Sequence, residues 1–517
     1  MNIAILHYHL NRGGVTQVVQ SHLRALDSPD AGRRPSRVAL LYGGRDQGTD
    51  LAGLTVCESF PVSSHKIAGL DYEDGPARGE PLCGAICETL DSLGMTADTT
   101  VLHIHNHALG KNASLTRAVS DLARRGYALL LHIHDFAEDF RPDNYRRLAD
   151  GLDCHDSARL SAELYPQASQ IHYAVLNGRD HRTLADAGIE SSNLHLLPNA
   201  VSPFGPLPDK DEARAKLCDR FGVPSHHQFV LYPVRAIARK NIGEAILWSV
   251  LGGDDVSGGV TLAPINPVER KLYDLWKHFV DRFNLRFFFE TGRDDGLQFK
   301  ENLAAADAIL TTSVAEGFGL VFLEAWLVGR RLIGRDLPEI TGGFVESGMR
   351  LDDLYRRMLV PVAWIGEDQF RAVLRDVFEK TQAAFDVRPG NARVDEQLDT
   401  LIDDGKVDFA MLGSEHQRRV IQLVHEDAAK REELLQLNPH IKHGLRDANS
   451  DHAVGRQNRD VVESMYSLAV SQGRLMRIYD ATINSSRDAT VRDLPHGERI
   501  LARFLDLSRL NPIRLET

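Results

Sequence analysis

Through residues 3–197, short apolar runs alternate with longer segments whose apolar positions recur every three or four residues. Residues 3–7, 38–42, 101–105, 128–134, 171–176 and 194–197 are strand-length and nearly continuous in apolar character. Such runs predict strands covered on both faces, hence a parallel sheet. Residues 16–26, 115–125 and 180–187 carry the helical period between them. The alternation predicts a doubly wound α/β domain. A Pro-rich stretch, SPFGPLPDKDEARAKL at 202–217, has the composition of a linker running into a helix. A second series follows, with strands expected at 229–232, 260–263, 287–289, 308–312 and 331–334 and a helix at 267–283. Beyond about residue 342 the chain turns helical and polar, with amphipathic runs at 369–385, 416–424 and 461–479. The expected division is a domain over 1–203, a second over 204–345, and a helical region over 346–517 that completes the second domain and packs back on the first.

Composition narrows the function classes. With 43% hydrophobic and 26% charged residues, the 517-residue chain is an ordinary globular protein with room for two or three cores. A formal net charge of -12 argues against nucleic acid as a partner, since phosphate backbones demand clustered Lys and Arg. No apolar run approaches the roughly 18 residues of a membrane span, and the opening MNIAILHYHL enters a strand with no basic leader. Five scattered cysteines do not form a disulfide framework. A cytoplasmic location is the expectation.

Candidate chemistry gathers at three places. In EGFGLVFLE, Glu316 and Glu324 bracket a Gly317-Phe318-Gly319 turn that leaves an apolar strand and opens a helix. Backbone N–H groups near Gly319 and Leu320 can face a diphosphate there, and the two carboxylates can meet sugar and ribose hydroxyls. In YPVRAIARKN, Arg235 and Lys240 follow the first strand of the second series, where an open α/β sheet binds its ligand. Cations at that position stabilise a leaving diphosphate. The third place is the glycine doublet Gly13-Gly14 ahead of the first helix, a weaker phosphate cradle.

Arg235 with Lys240, then EGFGLVFLE, then DLPEITG at 336–342 resembles the retaining glycosyltransferases of family 4, which have the GT-B fold. The histidine in LHIHDF and the segment LPNAV are similar to that family too, and the resemblance spans about residues 1–345. It implies an α/β fold of two Rossmann-like domains facing a cleft, here with a helical C-terminal extension. It implies a metal-independent, α-retaining hexosyltransferase that uses a nucleotide sugar such as UDP-glucose or GDP-mannose and no cofactor. Arg235 and Lys240 would bind the donor diphosphate, Glu316 the transferred sugar and Glu324 the ribose. His134 would meet the sugar from the first domain. Main-chain groups of Gly317, Phe318, Gly319 and Leu320 would complete the donor site, with Gly13, Gly14 and Asn199 close by. The chain departs from the family's usual text at Val234 and Asn241, where glycines are common.

On the acceptor side, HNHALGKN and HDFAEDFRPDNY supply His105, His107, Lys111, Asn112, Asp135 and Arg141. Lys111 and Arg141 suit the carboxylate or phosphate of a small soluble acceptor such as a sugar, a glycerate-type solute or a sugar phosphate. Two other readings compete: a phosphorylase on the same fold, and a metal-dependent hydrolase built on the alternating histidines of HIHNH and HIHD with Asp135. The hydrolase leaves Arg235, Lys240 and the paired glutamates without a task, so a site without metal is expected. The helical end region extends the site, packs on both halves, or mediates self-association into a homo-oligomer.

Overall fold

The computed structural model describes residues 1–11, 13–28, 32–44, 53, 55–387, 391–445 and 452–516. The chain forms two compact units. The first comprises Met1–Ser202, Ala384–Val387 and Ser464–Asp506; the second comprises Pro203–Ala383, Arg388–Glu463 and Leu507–Thr517.

The first unit is built on seven strands: β1 (Asn2–His7), β2 (Arg37–Tyr42), β3 (Val62–Lys66), β4 (Thr100–His105), β5 (Ala128–Ile133), β6 (Ile171–Val175) and β7 (Leu194–Leu196). They form one parallel sheet in the order β3-β2-β1-β4-β5-β6-β7. Every residue of β1, β4, β5 and β6 is buried, which explains their unalternating apolar text. The sheet order reverses between β1 and β4, so the carboxyl ends of those two strands form a topological switch point. Strand β3, VSSHK, carries only Val62 as an apolar residue, because it is a partly exposed edge strand. Helix Leu468–Ile483 belongs to this unit and buries Leu475, Met476, Ile478 and Tyr479 with Ile3, Ile5, Val19 and Leu23.

The second unit repeats the plan with β8 (Gln228–Arg235), β9 (Val256–Leu262), β10 (Phe287–Phe288), β11 (Ala308–Thr311), β12 (Arg331–Arg335) and β13 (Leu354–Tyr355). They lie parallel in the order β10-β9-β8-β11-β12-β13, with the switch point between β8 and β11. Helix Ile242–Leu251 is buried at all ten positions. One side of it is covered by helix Ser414–Glu426, whose Gln417 donates to Asn241 Oδ1 at 2.9 Å. A short antiparallel pair, β14 (Leu359–Pro361) with β15 (Lys406–Asp408), brings Asp408 to Arg335. Residues from beyond 346 thus complete the second unit's core.

One expected element is corrected. Residues 461–479 do not make a single helix: Ser467 is extended, at φ −68° and ψ 163°, between helices His452–Tyr466 and Leu468–Ile483. Serine favours the extended backbone of a helix start, and the boundary between the units falls just before it, at Glu463 and Ser464. Among the described residues no helix is long and apolar enough to cross a membrane.

Candidate active site

In the second unit the switch point gathers the expected charges. Strand β8 ends at Arg235, a 3-10 turn covers Ala238–Lys240, and β11 ends at Thr311 before the loop that carries Glu316. The two loops are tied together: Thr312 Oγ1 donates to the carbonyls of Lys240 (3.0 Å) and Asn241 (3.1 Å), and the Val314 amide donates to the Arg239 carbonyl (3.0 Å). Lys240 Nζ donates to Glu316 Oε1, Arg239 donates to Oε2 at 2.7 Å, and Ser313 Oγ donates to Oε1 at 2.5 Å. Glu316 is buried. Its burial pushes the carboxyl pKa up, but Lys240 and Arg239 outweigh that and hold it down at about 2. Burial draws Lys240 below its ordinary value, with Glu316 opposing. Two cations therefore fix an ionised carboxylate, and the three protons of an ammonium group leave Lys240 with donors beyond this bond.

Asn241 shows why its departure from glycine is tolerated. It sits at φ 50°, in the left-handed region that Asn enters more readily than most residues. Its amide donates to Glu244 Oε2 at 2.8 Å. Glu244 is held in turn by Arg335, which bridges it to Asp408, and by the Tyr355 hydroxyl at 2.6 Å. This buried network anchors the helix behind the Lys240 turn. Gly319 is needed where it stands: φ is +82°, and a Cβ would lie 2.6 Å from Phe322 Cδ2.

The other expected donor residues are more dispersed. Arg235 donates to the Ala263 carbonyl at 2.7 Å, and it is Arg239, not singled out in the sequence, that pairs with Glu316. Glu324 lies in the short helix Val321–Leu327, where burial pushes its carboxyl up to about 7. Phe318 is buried against Phe344, and Leu320 caps the helix start. In the first unit, Gly13 is extended, and neither it nor Gly14 has anything closer than 3.7 Å to a built Cβ, so the fold alone does not demand these glycines. Asn199 Oδ1 is buried without a hydrogen-bond partner.

Of the acceptor candidates, His105 and His107 are buried with no exposed surface. His105 Nδ1 meets His134 Nε2 at 2.8 Å, and His107 Nε2 meets the Leu164 carbonyl at 2.8 Å. Asn112 caps helix Ala113–Arg124 through Leu115 N, and its amide donates to the Gly69 and Asp71 carbonyls. Asn112 thus holds the loop at Gly69 and Asp71, while His105 Nε2 and His107 Nδ1 have no hydrogen-bond partner. Asp135 and Arg141 pair at 2.6 Å. Lys111 lies over the Tyr72 ring, 5.4 Å from its centroid. Burial lowers its pKa first, repulsion from Arg147 and Arg141 lowers it further, and Asp74, which also pairs with Arg147 at 3.2 Å, opposes the shift. The sequence does not mark Arg147, since its helix text, NYRRLAD, looks like an ordinary solvated face.

Two parallel, doubly wound units in one chain, closed by helices from its far end, define the GT-B fold. The sucrose-phosphate synthase of Thermosynechococcus elongatus matches with a TM-score of 0.53 at 15% identity, over 93% of this chain and 99% of that one. A glycosyltransferase from Rickettsia africae matches with a TM-score of 0.53 at 12% identity, over 94% and 99%. Anabaena HepE, solved with UDP and glucose, matches with a TM-score of 0.50 at 13% identity, over 93% and 100%. In sequence, the mannosylglucosyl-3-phosphoglycerate synthase of Petrotoga mobilis is 26% identical over 453 residues, 85% of this chain and 84% of that protein. No family model matches the sequence. Fold and sequence likeness together show a glycosyltransferase with the GT-B fold.

Proposed function

We propose that the chain is an α-retaining hexosyltransferase of family 4 type that moves a hexose from a nucleotide sugar to a hydroxyl of a small anionic acceptor. The observation that carries this reading is Glu316, ionised and clasped by Lys240 and Arg239 at the switch point of the second unit. In this role Lys240, Arg239 and Arg235 face the diphosphate, while the remaining lone pairs of Glu316 accept from hydroxyls of the sugar. Glu324 takes the ribose. The bond from the anomeric carbon to the phosphate oxygen breaks through an oxocarbenium-like state, and the acceptor oxygen bonds on the same face. Its proton passes to the departing phosphate. The fixed cations stabilise the charge that develops there, so the transfer step calls on no metal ion.

An anionic acceptor is supported by Lys111, which feels Arg147 and Arg141 more than Asp74 although those arginines pair with Asp74 and Asp135. The Petrotoga relative is named as the synthase of a phosphoglycerate glycoside, which agrees with an anionic, glycerate-type acceptor. The test incubates purified protein with UDP-, GDP- and ADP-hexoses and a panel of free and phosphorylated glycerates and sugars. Product linkage is read by NMR. An α-linked product from an α-linked donor, formed on an anionic acceptor, is expected. A β-linked product would sink retention, and hexose phosphate formed only with added phosphate would point to a phosphorylase. Lys111→Ala is expected to raise the acceptor KM with little change in the donor KM, and an unchanged acceptor KM would remove Lys111 from the site.

A further inference from the structure

Six histidines crowd the buried core of the first unit, and the transfer reaction gives no task to His7, His22, His103 or His132. His22 comes from helix Gly14–Leu26, His103 and His105 from β4, and His132 from β5. Alternation along β4 puts His103 and His105 on one face, and the parallel register sets His132 beside His105. One ring nitrogen from each of these four lies within 4.8 Å of the other three, and all four residues are at most 1% exposed. His7 and His134 flank the group.

An orphaned buried ring nitrogen loses its hydration with nothing in return, and although single orphans occur at His107 and His416 as well, they are gathered together only around His105 among these. Here His22 Nδ1, His105 Nε2 and His132 Nε2 all lack a partner. Three orphans in one cluster, each able to offer a lone pair, are what a ligand set without its ion presents. We propose that His22, His103, His105 and His132 form a closed, four-imidazole site for a late first-row divalent cation of the zinc class. Imidazole nitrogens suit zinc, cobalt, nickel and copper, whereas magnesium and calcium want oxygen ligands. Four protein ligands with no open position make a structural site, not a catalytic one.

The surrounding contacts fit that role. His103 Nδ1 meets the Tyr479 hydroxyl at 2.8 Å, and His105 Nδ1 meets His134 Nε2 at 2.8 Å. Such partners fix the tautomer of a ligating imidazole and aim its other nitrogen at the metal. His103 Nε2 now shares a 3.1 Å contact with His132 Nδ1 and would exchange it for the ion. Zinc–nitrogen bonds of about 2.0–2.1 Å put tetrahedral ligand atoms roughly 3.3 Å apart, so the four rings close by small rotations. The ion would pin helix Gly14–Leu26 to the sheet, and through Tyr479 it would secure helix Leu468–Ile483.

The experiment uses the untagged full chain. Elemental analysis after extensive dialysis is expected to find about one equivalent of zinc-class metal. Protein refolded from denaturant with Co²⁺ is expected to show the intense visible bands of a tetrahedral nitrogen site. A free-metal concentration about a hundredfold above Kd is expected to raise Tm by roughly 5 °C over the metal-free protein. His22→Leu should lose the bands, the stoichiometry and the metal-dependent rise. Equal metal uptake by wild type and His22→Leu, or no uptake by wild type, overturns the site. Should His22→Leu fail to fold, the cobalt spectrum of the wild type decides: tetrahedral bands support the proposal and their absence overturns it.

Discussion

At the scale of single residues, the second unit's site is a problem of charge. Glu316 is a buried carboxylate that stays ionised because two cations and a hydroxyl satisfy it. Removing the charge takes away the carboxylate that Lys240 and Arg239 share. Glu316→Gln is therefore expected to lower kcat/KM by about 100-fold or more and to destabilise the unit by about 3 kcal/mol. Steady-state kinetics and denaturant melts check both, and a variant with near-native kinetics would end the donor-site reading. Glu324 offers a pH test. Its carboxyl titrates near 7, so it is neutral below that pH and ionised above it. A carboxylate accepts better from ribose hydroxyls than a carboxylic acid does, so the donor KM is expected to rise as pH falls below about 7. Glu324→Gln should flatten that rise. The sequence marked Glu316 and Lys240 through their spacing within known text. Arg239 and Arg147 escaped because a cation at a loop or helix surface is usually solvated, and only three-dimensional neighbours distinguish them.

At the scale of elements, turns and strand ends matter more than helices. The turn from β11 into Val321–Leu327 depends on Gly319, whose positive φ and close approach to Phe322 exclude a side chain. Gly319→Ala is expected to cost about 1–3 kcal/mol of stability and to reduce kcat/KM more than about tenfold, since a displaced turn misplaces Glu316. Unchanged Tm and kcat/KM would show that the turn does not set the site. Strands β1, β4, β5, β6, β8 and β11 were legible because burial on both faces writes them as continuous apolar text. The edge strand Val62–Lys66 was not, since its faces are partly wet. Helix Gly79–Ser92 also went unassigned, although its buried Leu82, Cys83, Ile86, Cys87 and Leu90 recur at the three-and-four spacing of an amphipathic helix.

At the scale of the whole molecule, two units of the same plan share one chain, and the first contains many buried neutral histidines. Away from the proposed metal cluster, His172 and His195 stack and share a 2.8 Å contact, and burial depresses both to about 4. Their ordinary value is 6.5, so below that pH the unfolded chain binds more protons than the folded one. Their contribution to stability is complete above 6.5 and is lost as pH falls toward 4. The first unit is expected to lose up to about 2–3 kcal/mol per pH unit across that window through this pair, less where the rings are partly solvated. His172→Gln with His195→Gln should shallow the slope, as urea melts at several pH values would reveal; an unaltered slope would clear the pair of this role.

The sequence by itself determined the α/β class, the two sheets and the glycine turn between Glu316 and Glu324. Those features are local: a fully buried strand and a glycine turn are each written in consecutive residues. Tertiary structure alone decided that residues 464–506 return to the first unit, that Arg239 rather than Arg235 grips Glu316, and that four histidines from three elements share one core. Each of those depends on which residues distant along the chain become neighbours. The order of strands in a sheet sets that, and no short stretch of sequence encodes it.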